Sequence, residues 1–150
     1  MALAVAMMLP PFQKPRALIG AVPLVDTAPD LLNDPWGNNS DAPGLTTTIF
    51  LDLLGKVFPP EILDHWHFNP SIIPKEKVEH LPDLHLVLGR HDILFKAQRA
   101  WIDRLESYGK QVDYVEVNGL HKVKDLDRIT EAGRVARQYL FRAVKMYVVD

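Results

Sequence analysis

The sequence predicts an α/β fold built on a parallel sheet. Three observations carry this expectation. The run ALIGAVPLV at 17–25 is continuously apolar, as in a strand buried on both faces. From about residue 84 onward the chain alternates strand-like and helix-like segments. Turn residues close these segments at Gly89, Gly109 and Asn118-Gly119.

The elements follow in order. The opening run from Met1 to Leu9 is apolar, lacks a positive leading region and stops at Pro10-Pro11. It is too short to cross a bilayer and reads as the end of a buried helix rather than a signal peptide. The first strand follows, and Pro23, which cannot donate to a central ladder, sets its end near that point. Residues 26–82 form a long excursion rich in Pro, Asn, Asp and Gly. Within it, Ile49, Leu53, Leu54 and Val57 have helical spacing, and Glu61 to His67 suggests a short helix. A connection of this length usually carries function, such as a cap over a site.

Leu84 to Leu88 (LHLVL) is the second strand. Ala97, Trp101, Leu105 and Tyr108 then make one helical stripe, and Gly109 stands where a helix end favours positive φ. Val112, Tyr114, Val115 and Val117 mark the third strand. The last helix shows Ile129, Ala132, Ala136, Leu140, Ala143 and Tyr147 at steps of three and four, with Asp125 or Asp127 expected as its N-cap.

Composition narrows the function classes. The chain has 150 residues, 47% of them hydrophobic and 24% charged, which suits one globular domain with a real core. A net charge of −2 gives no basic field to attract nucleic acid or an anionic membrane. The absence of cysteine excludes disulfides and thiolate metal sites, and is compatible with a reducing compartment. Nothing implies a cofactor.

Asp92 and His121 each stand just past a strand, the end at which parallel sheets place their ligands. An ionised aspartate that accepts from a histidine Nδ1–H fixes the tautomer and frees Nε2 to take a proton from a nucleophile. The plainer alternative is an aspartate capping the next helix and a histidine in a surface loop. The nucleophile is missing: Ser40, Ser71 and Ser107 are the three serines, and none lies in a Gly-x-Ser-x-Gly setting. His65 and His67 lack a nearby third metal ligand, so no metal site is expected. His91 reads as solvated and His85 as a satisfied core histidine. Trp36, Phe50, Phe58, Trp66 and Phe68 could line an apolar acyl pocket or simply pack the cap. Arg134, Arg137, Arg142 and Lys145 complement the dipole of the last helix as a solvated face.

The segment LPDLHLVLGRHDILFKAQRAWIDRLESYGKQVDYVEVNGLHKV (81–123) resembles the C-terminal part of the hormone-sensitive-lipase-like branch of the α/β-hydrolases. That branch carries Leu-Pro-x, a strand, Gly-x-x-Asp-x-Leu, a helix ending in Leu-x-x-x-Gly, a strand, and then Gly-x-x-His or a close variant. PRALIGAVPLVD resembles the strand leading into the cap, and Asn39, Ser40, Asp41, Leu45 and Thr46 resemble part of the cap. The resemblance implies the C-terminal half of a hydrolase sheet, about three parallel strands with flanking helices, plus a cap-like excursion. It assigns Asp92 as the triad acid and His121 as the base of a serine carboxylic-ester hydrolase, esterase- or lipase-like, acting on a small-molecule ester.

Met1-Ala2-Leu3-Ala4 resembles the residues that follow the family's nucleophile elbow, so the serine is expected upstream of Met1. Lys122-Val123 replaces the family's Gly-Phe, and Phe95-Lys96 replaces an acidic pair. The alternative is a non-catalytic small-molecule-binding or receptor-like member of the same fold. Without a neighbour for the strand at 17–23, the isolated chain is expected to self-associate.

Overall fold

The computed structural model describes residues 6, 8–21, 56, 57, 59–63, 65–92, 94–119 and 130–148. Three strands form one parallel sheet in the order β1 (Ala17–Ala21), β2 (Asp83–Gly89), β3 (Val112–Val117). Its register runs from Ala17↔Asp83 to Ala21↔Val87 on one side of β2, and from Leu84↔Val112 to Gly89↔Val117 on the other. A parallel sheet of this kind is the core of the predicted fold, with helices on both faces.

Alternation along β2 separates those faces. Leu84, Leu86 and Leu88 point into a cluster with Ile73, Val78, Leu81, Ala97, Trp101, Ile102, Leu105 and Val112. Val87 points the other way, to Val117 and Ala136. Leu88, Ile102 and Leu105 are completely buried, and burying a side chain of that size contributes about 1.5–3 kcal/mol.

β1 departs from expectation. Every one of its residues is half-buried rather than buried. Among the described residues it pairs on one side only, with β2, and an edge strand leaves part of its surface open.

The segment between β1 and β2 contains α1 (Pro60–Leu63), a 3-10 turn at Pro70–Ile72 and α2 (Lys75–Val78). The expected helix from Glu61 to His67 is thus shorter and starts one residue earlier. The apolar stripe expected at 46–57 lies almost entirely outside the described residues, as does the segment 22–45.

α3 (Phe95–Ser107) buries Ala97, Gln98, Trp101, Ile102 and Leu105. It ends as the stripe predicts: Gly109 has φ 87°, its N–H donates to Glu106 O at 2.9 Å, and Lys110 N–H donates to Leu105 O at 3.0 Å. This paired closure needs a left-handed residue, which glycine adopts without a Cβ penalty. α4 (Glu131–Val148) covers the opposite face and buries Gly133, Ala136 and Ala143. Asp125 and Asp127, the expected caps, lie outside the described residues; the Thr130 hydroxyl accepts from Gly133 N–H at 3.0 Å. A hydroxyl three residues ahead of an unpaired helical N–H has the geometry of an N-cap, so the helix starts where that bond forms.

Candidate active site

The C-terminal end of the sheet is built by two adjoining turns, one leaving β2 and one leaving β3. Arg90 N–H donates to Val117 O at 2.9 Å and His91 N–H donates to Gly119 O at 3.0 Å. The backbone ladder between the strands therefore continues past their ends and ties the two turns together. The approach is close: a Cβ built on Gly89 would lie 2.7 Å from Gly119 O and 3.2 Å from its carbonyl carbon. Only glycine fits there.

Asp92 stands inside this junction, 4% exposed. Its Oδ1 accepts from Leu94 N–H at 2.7 Å, its own N–H donates to Gly89 O at 3.0 Å, and its carbonyl accepts from Phe95 N–H at 3.1 Å. The carboxylate closes a turn two residues long and leaves the first turn of α3 without a side-chain cap. The capping alternative is thus met only locally. The Leu94 N–H fixes the carboxylate, and two main-chain bonds fix the backbone that carries it. Gly119, which anchors His91, precedes His121 by two positions in the sequence; His121 itself lies outside the described residues.

The other candidates separate. Trp66 is half-buried and packs against the cluster beneath α3. Phe68 is half-buried beside it in the chain, with its N–H bonded to His65 O at 2.9 Å. Trp36 and Phe50 lie outside the described residues, and so does Phe58. His65 and His67 stack at 4.6 Å, and His65 Nδ1 accepts from the His67 N–H at 3.2 Å. Burial, then His65 and Lys77, lower the pKa of His67. Among the described residues no group of three potential metal ligands converges. His91 is exposed.

Two serines are visible. Ser71 is buried and donates its hydroxyl to Asn69 Oδ1 at 2.8 Å, and Ser107 donates to Arg104 O at 2.7 Å. Among the described residues neither bonds to a base. Ser40 lies outside the described residues.

Beside the Asp92 turn, Arg90 Nε donates to Glu116 Oε2 at 3.0 Å, and Arg99 Nε lies 3.7 Å from Glu116 Oε1. Arg99 also spans the Tyr114 ring at 4.8 Å. This group braces the outer edge of β3 against α3. It escaped sequence reasoning because Arg90, Arg99 and Glu116 are scattered along the chain. A cavity of about 440 Å³ opens nearby, lined by Arg90, Glu116, Asn118, Thr130, Glu131 and Val135 among others.

The model of a family described as the alpha/beta hydrolase fold matches residues 1–123. No curated protein matches the sequence. Solved structures share its fold. An esterase from the fungus Rhizomucor miehei superposes with a TM-score of 0.74 at 15% identity, covering 96% of this chain and 47% of its own. A thermostable esterase from Pseudomonas putida gives 0.67 at 20% identity, covering 91% and 44%. Carboxyl esterase 2 of the mycorrhizal fungus Tuber melanosporum gives 0.68 at 16% identity, covering 93% and 47%. The chain thus spans less than half the length of each of these structures.

Proposed function

The chain belongs to the α/β-hydrolase fold family, and from that premise we propose that it supplies the acid and the base of a serine carboxylic-ester hydrolase. Asp92 is the acid and His121 the base. Asp92 orients the imidazole through Nδ1–H, and Nε2 accepts the proton of a serine as it attacks the ester carbonyl. The tetrahedral intermediate collapses with expulsion of the alcohol, which takes that proton back from the imidazolium. Water activated by the same imidazole then frees the acid. The excursion at 26–82 serves as cap, and Trp36, Phe50, Trp66 and Phe68 are its candidate acyl contacts.

One observation carries the assignment: Asp92 is buried at the C-terminal end of the central strand, in a turn bonded to Gly119, two positions before His121. Such a link restricts how far apart the two residues can lie. The esterase neighbours in fold support the reaction class.

The test is a pH titration of the His121 ring by NMR in the 150-residue chain and in its Asp92→Asn variant. An adjacent carboxylate favours imidazolium, so Asp92→Asn is expected to lower the His121 midpoint by about one unit or more. Equal midpoints in the two proteins would overturn the pairing. In parallel, the chain is expected to hydrolyse short p-nitrophenyl esters no faster than its His121→Ala variant, since none of its serines lies in a Gly-x-Ser-x-Gly setting. Turnover that disappears in His121→Ala would point to a nucleophile within the chain, with Ser40 and Ser71 next to be replaced. A non-catalytic ligand-binding role is the alternative, and it would hold if no serine nucleophile completes the site with Asp92 and His121.

A further inference from the structure

Away from the candidate site, four polar side chains meet near the N-terminal ends of β2 and β3. His85, on β2, is 4% exposed and packs its ring edge-on against Tyr147 at 5.4 Å. Its Nδ1 lies 3.1 Å from Oδ2 of Asp113, its register partner on β3. Its Nε2 lies 2.9 Å from the hydroxyl of Tyr147, in the last turn of α4. That hydroxyl donates to Asp83 Oδ2 at 2.9 Å. The chain of contacts therefore joins two strands to the far end of the last helix.

Only one protonation state of the ring satisfies all these contacts at once. Three contacts in series, His85–Asp113, His85–Tyr147 and Tyr147–Asp83, need three shared protons. Ionised carboxylates bring none and the Tyr147 hydroxyl brings one, so His85 must bring two. With a neutral ring one contact has no proton, and two acceptors face each other. We propose that His85 in its imidazolium form is a latch that fastens the C-terminal turns of α4 to the sheet, and that loss of one ring proton opens one link.

The surroundings suit this role. Asp83 and Asp113 flank the ring with negative charge from β2 and β3. Lys110, in the turn before β3, holds its Nζ 3.8 Å from Asp83 Oδ1, which keeps a positive charge beside that carboxylate. From the chain ahead of β1, the Arg16 carbonyl accepts from Asp83 N–H, and β1 itself sets the uncharged Ile19 in register with His85. From α4, the Tyr139 ring lies 6.5 Å from His85, and Arg142 acts on Tyr139. Burial, and then Asp83, hold the Tyr147 hydroxyl above the usual tyrosine range, so it remains a proton donor in this chain of contacts. The sign follows: the fastening is complete with the ring doubly protonated, and one link is lost when the ring gives up a proton.

The test combines two NMR readouts on the 150-residue chain, with His85 assigned by its loss in His85→Gln. Ring-nitrogen shifts report how many protons the imidazole carries, and amide exchange reports the closure of the last turn of α4. Both ring nitrogens are expected to be protonated where that turn is most protected. Protection, corrected for intrinsic exchange, should fall about threefold to tenfold as His85 loses a proton, the effect of one net hydrogen bond. Tyr147→Phe removes two of the three links at a half-buried helix end, and is expected to abolish this step while the β2 amides stay protected. The latch is overturned if the step persists in Tyr147→Phe. It is equally overturned if His85 carries a single ring proton while the turn is fully protected.

Discussion

Substituting Gly89 by alanine tests the junction that positions Asp92. The added Cβ would sit 2.7 Å from Gly119 O, against an ordinary carbon contact of about 3.5 Å. The obstacle is backbone, so the turn after β2 and the turn after β3 must separate by most of an ångström. Overpacking of this kind costs about 1–3 kcal/mol. The same movement stretches the bonds from Arg90 to Val117 O and from His91 to Gly119 O, each a net contribution of about 0.5–1.5 kcal/mol. The expected destabilisation is therefore about 2–4 kcal/mol, read by urea unfolding followed through tryptophan fluorescence. Two other glycines calibrate it. Gly20→Ala, with nothing among the described residues within 4 Å of its Cβ, should be neutral or gain about 0.5–1 kcal/mol. Gly109→Ala, at φ 87°, also meets no atom of the described residues and should lose only about 1–2 kcal/mol through backbone strain. If Gly89→Ala unfolds no more easily than Gly20→Ala, the close approach is not what holds the two turns together.

Three further outcomes are expected. Ile102→Ala, at a completely buried position between α3 and β2, should cost about 2–5 kcal/mol in the same unfolding assay, and a cost below 1 kcal/mol would contradict the packing described. Burial, and then Asp113, hold the Tyr139 hydroxyl well above its usual range. A raised folded value means stability that is intact below about pH 10 and declines as pH rises further, so Tyr139→Phe should flatten the alkaline decline; an unchanged slope would refute the attribution. Finally, the 150-residue chain should self-associate through the open side of β1, which among the described residues pairs with β2 alone. A stable monomer by sedimentation velocity at about 50 μM, where exposed edges associate, would count against it.

Local patterning determined a good deal by itself. The stripe Ala97, Trp101, Leu105 and the following Gly109 specify α3 and its stop, because a 3.6-residue period and a left-handed closing residue are properties of nearby sequence. The run LHLVLG specifies β2, and its succession by a helix and another strand specifies a parallel sheet. The Gly-x-x-Asp-x-Leu motif singled out Asp92, and the buried turn at the end of β2 is consistent with that choice.

Tertiary structure decided the rest, since side-chain surroundings depend on which distant segments arrive. The half-burial of β1 follows from what pairs with it rather than from its own apolar run. The Thr130 hydroxyl accepts from the Gly133 N–H at the start of α4, a contact the sequence reading, which expected Asp125 or Asp127, did not single out. Strand alternation already put His85 opposite Leu84 and Leu86, yet Tyr147 and Asp113 lie 62 and 28 residues away. Only the packing of α4 over the sheet brings them to one ring, because hydrogen bonds act over about 3 Å of space, whatever the separation along the chain.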